Sequence, residues 1–449
     1  MRKKKLTAAL ALAVSSAVAL LLAAFATGAG QSPAQVIGSG KQSKVKSVCG
    51  LGTGKKATGP AIKIGAIATK QPGTDFTDIP NMAKAYFDCV NNNGGIFGRR
   101  IQYFLETEQT DPAQNAALAK KLAESTKVVG MVGNTSIIEC AINHKYWESK
   151  GFYVIASGIA PECYGKTTNY ASVNMGPRYS SDGATQYVIR KGVDKIVFDQ
   201  SNVPGTGYIK AGPSAIAKAA KIPIATFEDT VPIQDANSVA LKLVQAAGKN
   251  GGVVLNFTPD QALLILQAAQ KQGIADNVKA WGCSTPCNSD FVAAALGTVW
   301  DGKFGVNAEL NLTTAPGPDS RLYRQLVPTA QLAFGAGSFS QMGFTEARIA
   351  TAALLNMKAP YTAKRVNDAF AGVRNFHTDI LCGPWYFGKI PYHIPNSTDR
   401  TTTPNNGKMV VAEGCFKISA ADPDIAKVRA LEKKNPQLIK GPVYPLQGK

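Results

Sequence analysis

Histidine is nearly missing from this 449-residue chain, occurring only at His144, His377 and His393. A multi-histidine metal site would have to be assembled from scattered positions, and a nucleophile–base pair has three candidate bases. No Cys-x-x-Cys, His-Glu-x-x-His or repeated Cys/His ligand set occurs, so no metal site is expected. Long apolar runs are scarce as well. Only residues 6–29 approach the roughly 20 uncharged residues needed to span a bilayer, which excludes a polytopic membrane protein. Acidic residues are few, with 30 Asp and Glu against 49 Lys and Arg.

What remains is a globular composition, 45% hydrophobic and 18% charged, long enough for two or three domains. The first basic block, Arg2, Lys3, Lys4 and Lys5, leads into the apolar stretch, and small residues follow at Ala24-Phe25-Ala26 and Thr27-Gly28-Ala29. That order predicts a signal peptide over 1–29. The apolar run exceeds the usual length of about 7–15 residues, so an uncleaved anchor is the alternative. Either way the rest of the chain is exported, periplasmic or extracellular. The first cysteine is Cys49, so a lipoprotein is not expected. Without the four N-terminal cations the formal charge of +19 becomes +15. Residues 30–60 carry Lys41, Lys44, Lys46, Lys55 and Lys56 with no acid, and read as a flexible basic tether. It either holds the protein to an anionic cell surface or is a solvated linker. Nucleic acid is a poor partner for such a chain.

Eight cysteines in an exported protein imply disulfides, although spacing cannot choose among 105 connectivities. The expected pairs are Cys49 with Cys89, Cys140 with Cys163, Cys283 with Cys287, and Cys382 with Cys415. Cys283-Ser-Thr-Pro-Cys287 is read as a structural staple, not a redox or zinc pair.

From residue 61 short β-rich runs alternate with helical segments. Strands are predicted at 62–68, 100–106, 128–133, 152–156, 195–199, 224–229, 252–257, 278–282 and 302–307. Most are continuous apolar runs, as parallel strands covered on both faces require. Asp111-Pro112 opens a helix over 113–127, Pro259-Asp260 opens another, and a helix over 82–92 stops at Asn93-Gly94-Gly95. The alternation predicts α/β architecture, and nine strands imply two lobes. Beyond residue 308, helices are expected near 319–334, 341–356 and 364–373. Paired strands are then expected at 382–390 and 409–418, with an exposed Thr-rich loop at 396–407 and a tail from 422 that is a short helix plus disorder.

Several motifs fail. Gly50-Leu-Gly-Thr-Gly-Lys-Lys56 has the wrong spacing for a phosphate loop and puts Lys56 where Ser or Thr must reach Mg²⁺. Ser157-Gly158 lacks the flanking glycines of a nucleophile elbow. His144, one turn after Cys140, reads as a half-exposed helix residue beside a bridged cysteine. No cofactor is expected.

The run Ile62-Lys-Ile-Gly-Ala-Ile-Ala68, a Gly/Thr/Asp loop, Met82-Ala-Lys-Ala-Tyr-Phe-Asp-Cys-Val90 and Asn92-Asn-Gly-Gly-Ile-Phe-Gly-Arg-Arg-Ile101 resemble the solute-binding proteins of branched-chain amino acid type ABC transporters. The similarity continues through Asp111-Pro112, Lys120-Lys-Leu122, 128–136 and Val154-Ile-Ala-Ser-Gly158 to about Arg374. The resemblance implies a two-lobed periplasmic-binding-protein type I fold, each lobe a parallel-sheet α/β sandwich, with three hinge crossings. Lobe 1 would hold 61–174 and 308–376, lobe 2 would hold 175–307 and 377–421, and 422–449 would be a basic C-terminal tail. It implies a monomeric, non-catalytic protein that closes on a small solute and delivers it to an ABC permease. Ligand residues carried over are Gln71, Thr74 and Phe76 in the first loop, Asn134, Thr135 and Ser136 at the next, and Ser157, Gly158 and Ile159 beyond it. Asn202, Val203, Phe257, Thr258 and Ser284 would come from the second lobe. In this family Cys140 and Cys163 would bracket the helix between two ligand loops, and Cys382 and Cys415 would staple the C-terminal hairpin. Amino-acid binders of the family place an acid near Ser284 for the ligand's ammonium, and Gly282, Cys283 and Ser284 cannot serve. A neutral or anionic solute such as an amide, a carboxylate or an aromatic acid is therefore expected. Two other readings are a same-fold sensor for a signalling partner and a secreted hydrolase using Ser157 or Cys283.

Overall fold

The computed structural model describes residues 47–446, so the export segment and Lys41, Lys44 and Lys46 lie outside the described residues. Two sheets carry the structure. The first contains β1 (Gly59–Gln71), β2 (Thr74–Asp75), β3 (Arg99–Glu108), β4 (Gly130–Asn134), β5 (Val154–Ala156) and β6 (Tyr170–Ser172). Its order is β3-β1-β4-β5-β6, all parallel, and β2 folds back antiparallel on the end of β1. The second contains β7 (Ile196–Asn202), β8 (Ile224–Thr230), β9 (Gly252–Asn256), β10 (Ala280–Cys283), β11 (Phe304–Ala308), β12 (Thr398–Asn405) and β13 (Lys408–Lys417). Its order is β13-β12-β11-β10-β9-β7-β8, parallel from β11 to β8, with β12 antiparallel to both β11 and β13. All nine predicted strands are present. Their apolar runs are buried without alternation, as in β9 and β11, because helices cover both faces.

Among the helices, α1 (Asp78–Asn92), α2 (Glu139–Ser149), α3 (Pro177–Arg190), α4 (Pro259–Lys271), α5 (Ser338–Leu355) and α6 (Pro423–Lys434) frame the interlobe space and its ties. Every residue of α5 is buried, so it is a core helix without a solvent face. It crosses α1 closely at Gly343, where a Cβ would lie 1.8 Å from the Ile79 carbonyl oxygen. The helix begun by Asp111 is capped as expected, its carboxylate accepting from the Ala113 and Gln114 amides.

The C-terminal third departs from expectation. Residues 396–407, read as an exposed loop, are mostly strand β12, with Asp399, Arg400, Thr401 and Thr402 buried. Threonine suits a pleated, half-buried surface, and the loop reading gave Thr and Pro404 the wrong weight. The partner of β13 is β12, not residues 382–390. Asn406-Gly407, both at positive φ, forms the two-residue turn between Asn405 and Lys408. Segment 382–390 instead packs with the first lobe, where Leu381, Trp385 and Phe387 join the core around β1 and α5, and the Trp385 indole donates to the Ser172 carbonyl.

The tail is not a disordered appendage either. Ile425 and Val428 of α6 are buried in the first-lobe cluster containing Trp147 and Val154. The chain thus passes between lobes four times, after β6, after β11, before β12 and after β13. Residues 47–60 are not free tether: Cys49 and Ala57 are buried, and the Thr53 and Ala57 amides donate to carbonyls at the end of α1.

All four expected cysteine pairs are bonded, and Cys140 and Cys163 bracket α2 as anticipated. Cys382–Cys415 joins a first-lobe segment to β13 of the second sheet rather than two strands of one hairpin. Replacing both with alanine is expected to cost about 2–4 kcal/mol, read as a lower midpoint in urea denaturation of the oxidised protein.

Candidate functional site

The carboxyl ends of strands in both sheets face one space, where parallel α/β sheets place ligands. It is a cavity of about 90 Å³. Nine of the expected ligand residues line it: Thr74, Phe76, Thr135, Ser157 and Ile159 from the first lobe, and Val203, Phe257, Thr258 and Ser284 from the second. The lobes also meet at its rim, where the Tyr208 hydroxyl donates to the Ile159 carbonyl and Thr258 Oγ1 donates to the Gly73 carbonyl at 3.4 Å.

Five expected residues do not line the cavity, each for a local reason. The Gln71 side chain accepts from Thr110 Oγ1 at 3.0 Å. Asn134 turns inward, its Oδ1 accepting from the Ile67 amide. Ser136 is a helix cap, its Oγ accepting from the Ile138 and Glu139 amides and from Asn115 Nδ2. Gly158 packs on the disulfide, where a Cβ would lie 2.6 Å from Cys163 Cβ, and its carbonyl accepts from Tyr164 and Asn174. Asn202 is exposed, because successive strand residues point to opposite faces and Ser201 and Val203 take the inner one.

Sequence reasoning missed Asn174, Ser180, Asn256, Thr285, Glu309, Phe339 and Met342, which also line the cavity. Asn256 ends β9 and Glu309 follows β11, so the strand-end rule applied strictly would have found both. Phe339 and Met342 come from a helix distant in sequence, for which no local signal exists.

Glu309 changes the electrostatics. The acid absent near Ser284 is supplied from the neighbouring strand, which removes the reason for expecting a neutral or anionic solute. Burial pushes the Glu309 carboxyl up to about 8, partly offset by the Met175 amide that donates to Oε2. Behind Ser157, whose hydroxyl donates to Glu346 at 2.5 Å, burial likewise holds the Glu346 carboxyl well above its usual range. No Lys, Arg or His is among the lining residues.

The hydrolase reading fails on this geometry. Cys283 is bridged to Cys287, the Ser157 proton is directed at a carboxyl, and none of the three histidines lines the cavity.

Residues 61–402 match the periplasmic binding protein family. The chain belongs to that family. Solved structures agree on the type I fold of this periplasmic binding protein. A fatty acid ABC transporter substrate-binding protein from Thermomonospora curvata is 18% identical, with TM-score 0.69, over 87% of this chain and 97% of its own. A branched-chain amino acid ABC transporter protein from Thermus thermophilus with bound valine is 14% identical, with TM-score 0.71, over 82% and 100%. A solute-binding protein from R. palustris in complex with 4-hydroxybenzoate is 14% identical, with TM-score 0.66, over 82% and 100%. No curated protein sequence matches. At these identities the structures establish the fold of this periplasmic binding protein and not its ligand. Proteins of this family bind a solute without transforming it.

Proposed function

We propose that the protein is an exported solute-binding component that captures a small polar solute, of the size of an amino acid, amide or carboxylate, and delivers it to an ABC permease. The observation that carries this is the cavity walled by strand ends of both lobes, with rim contacts made only when the lobes are together. Closure on a ligand is a population shift, and a ligand touching both lobes favours the closed form. At about 10–15 Å³ for each water-sized group, the cavity of about 90 Å³ holds roughly six to nine such groups. Valine, fatty acid and 4-hydroxybenzoate, bound by proteins of the same fold, bracket the chemistry to screen.

A thermal-shift screen of the oxidised protein against amino acids, amides, amines, short carboxylates and aromatic acids tests the reading. A solute at 100 times its Kd stabilises by about 2.7 kcal/mol, roughly 3 °C at this size. The hit should be lost in Ile159→Trp, which fills the cavity from its rim. A hit that survives in that variant binds elsewhere and sinks the proposal.

A further inference from the structure

We infer that the end of the first lobe away from the cleft is a docking face for a bilayer of anionic phospholipid, with Phe97 as its apolar anchor and Lys55, Lys56 and Arg99 as its phosphate-binding cations. The inference stands apart from the solute cavity, which lies at the opposite edge of the same sheet.

Parallel strands put their amino ends on one edge, and in the first sheet the chain brings a cation to each of them. Lys55 and Lys56 precede β1, Arg99 and Arg100 begin β3, and Lys127, Lys150 and Lys166 precede β4, β5 and β6. Lys358, just beyond the end of α5, joins them. Acids on this edge are already engaged: Glu124 lies 3.0 Å from Lys150, Glu162 2.6 Å from Lys166 and Asp368 2.7 Å from Lys364, and Glu148 accepts from Thr167 Oγ1. Among the described residues Lys55, Lys56, Arg99, Arg100, Lys127 and Lys358 form no ion pair. A surplus of one sign on one face attracts a surface of the other.

Charge alone would suit any polyanion, and the aromatic at the centre narrows the choice. Phe97 is 55% exposed and adopts a φ of 50°, a conformation unfavourable for a bulky side chain. It stands between two surface hollows. One, of about 790 Å³, is walled by Phe97, Arg99, Lys358, Tyr361 and Tyr444, and the other, of about 360 Å³, by Phe97, Lys55 and Lys56. The Arg99 guanidinium lies over the Tyr361 ring at 5.5 Å, which leaves its N–H edge for phosphate oxygens, two at a time. Aromatic rings beside lysine and arginine are the composition of surfaces that settle at the headgroup level of a bilayer.

The course of the chain points to the same occupant. The first described residues, from Ser47, are tied to α1 by Cys49–Cys89 and by the Thr53 amide donating to the Asn93 carbonyl, and they reach this edge at Lys55. Ahead of Ser47 the sequence holds Lys41, Lys44 and Lys46, and ahead of those the uncharged run 6–29. Residues 30–46 span at most roughly 60 Å, so a chain held in a bilayer by that run keeps this face within reach of it. The amino edge of the second sheet also carries lysines. There Asp194, Asp276 and Asp301 alternate with them, and Lys303 pairs with Asp276 at 2.7 Å.

Vesicles of dibromophosphatidylcholine with an equal part of phosphatidylglycerol test the face in the full, oxidised chain carrying Phe97→Trp. The four native tryptophans are buried, none more than 1% exposed, so brominated lipid reaches only the introduced indole. Its fluorescence is expected to fall by about half or more on these vesicles, to change little on dibromophosphatidylcholine alone, and to recover in about 1 M salt, where the screening length shrinks from about 10 Å to about 3 Å. Each cation near an anionic surface is worth roughly fivefold in partitioning, so adding Lys55→Ala and Lys56→Ala should lower the docking constant, read from the fraction quenched, by at least about tenfold. Adding Lys218→Ala and Lys249→Ala on the second lobe should not. Melting of the unliganded variants checks their fold. Absence of quenching, equal quenching on neutral vesicles, or an equal loss from the second-lobe pair overturns the inference. So does self-association in sedimentation equilibrium that Phe97→Asn abolishes, which would assign the face to a second copy of the chain. Every variant should keep the wild-type response to solute, so the proposed function stands or falls separately.

Discussion

Arg178→Ala is expected to lower the unfolding free energy by about 3–5 kcal/mol, the range for stripping one partner from a buried pair. Arg178, near the start of α3, grips Asp422 with two bonds of 2.8 Å and reaches Asp424 at 3.1 Å. Asp422 caps α6 through the Asp424 amide. Beside it Asp182 is fully buried, its carboxyl pushed well up by burial and then by Asp422. Removing the guanidinium leaves three carboxyls together. Because Asp182 is more basic in the folded protein than at about 3.9 when unfolded, the native state binds the extra proton, and stability falls as pH rises above about 4. That fall should be steeper in the variant, and Asp182→Asn should recover part of the loss. Denaturation midpoints at pH 5 and 8 measure both. A midpoint unchanged at both pH values would refute the role given to Arg178.

Arg348→Ala is expected to cost a similar amount, about 3–5 kcal/mol. Arg348 lies in the core helix α5, its side chain 3% exposed against 2% for Asp319, with Nε 3.2 Å from Asp319 Oδ1. Its Nη1 donates to the Tyr86 hydroxyl at 3.2 Å and the Val48 carbonyl at 3.4 Å. Asp319 also accepts from Ser47 Oγ at 2.5 Å. The nearby Asp379 carboxyl is already raised, first by burial and then by Asp319. Alanine would leave Asp319 without its cation beside the Asp379 carboxyl and release the start of the folded chain. Arg348→Ala with Asp319→Asn should be milder than Arg348→Ala alone, and limited proteolysis should cut faster around Lys55 and Lys56 in the single variant. Equal denaturation curves for wild type and single variant would contradict this.

Most of the sheet framework was legible because parallel strands buried on both faces leave unbroken apolar runs, as in β9 and β11. The three-residue β6 is too short to show any period, and β12 was hidden by its threonines, although Asn406-Gly407 signalled the hairpin. The cavity was legible where a strand end meets a loop, as at Thr135, Ser157 and Thr258. It failed at Ser136 and Asn202, where capping and strand alternation decide direction, and at Phe339 and Met342, which only the tertiary fold brings in. Glu309 was missed because the family pattern directed attention to Ser284, one strand away.

The return of α6 to the first lobe makes the two halves meet along a line of ties and not at a narrow waist. Joined that way, plates can swing about the line but resist sliding and twisting across it. The unliganded protein then explores a narrower set of open shapes. Less freedom is surrendered when the halves come together, and a larger share of the contact energy with the solute emerges as affinity.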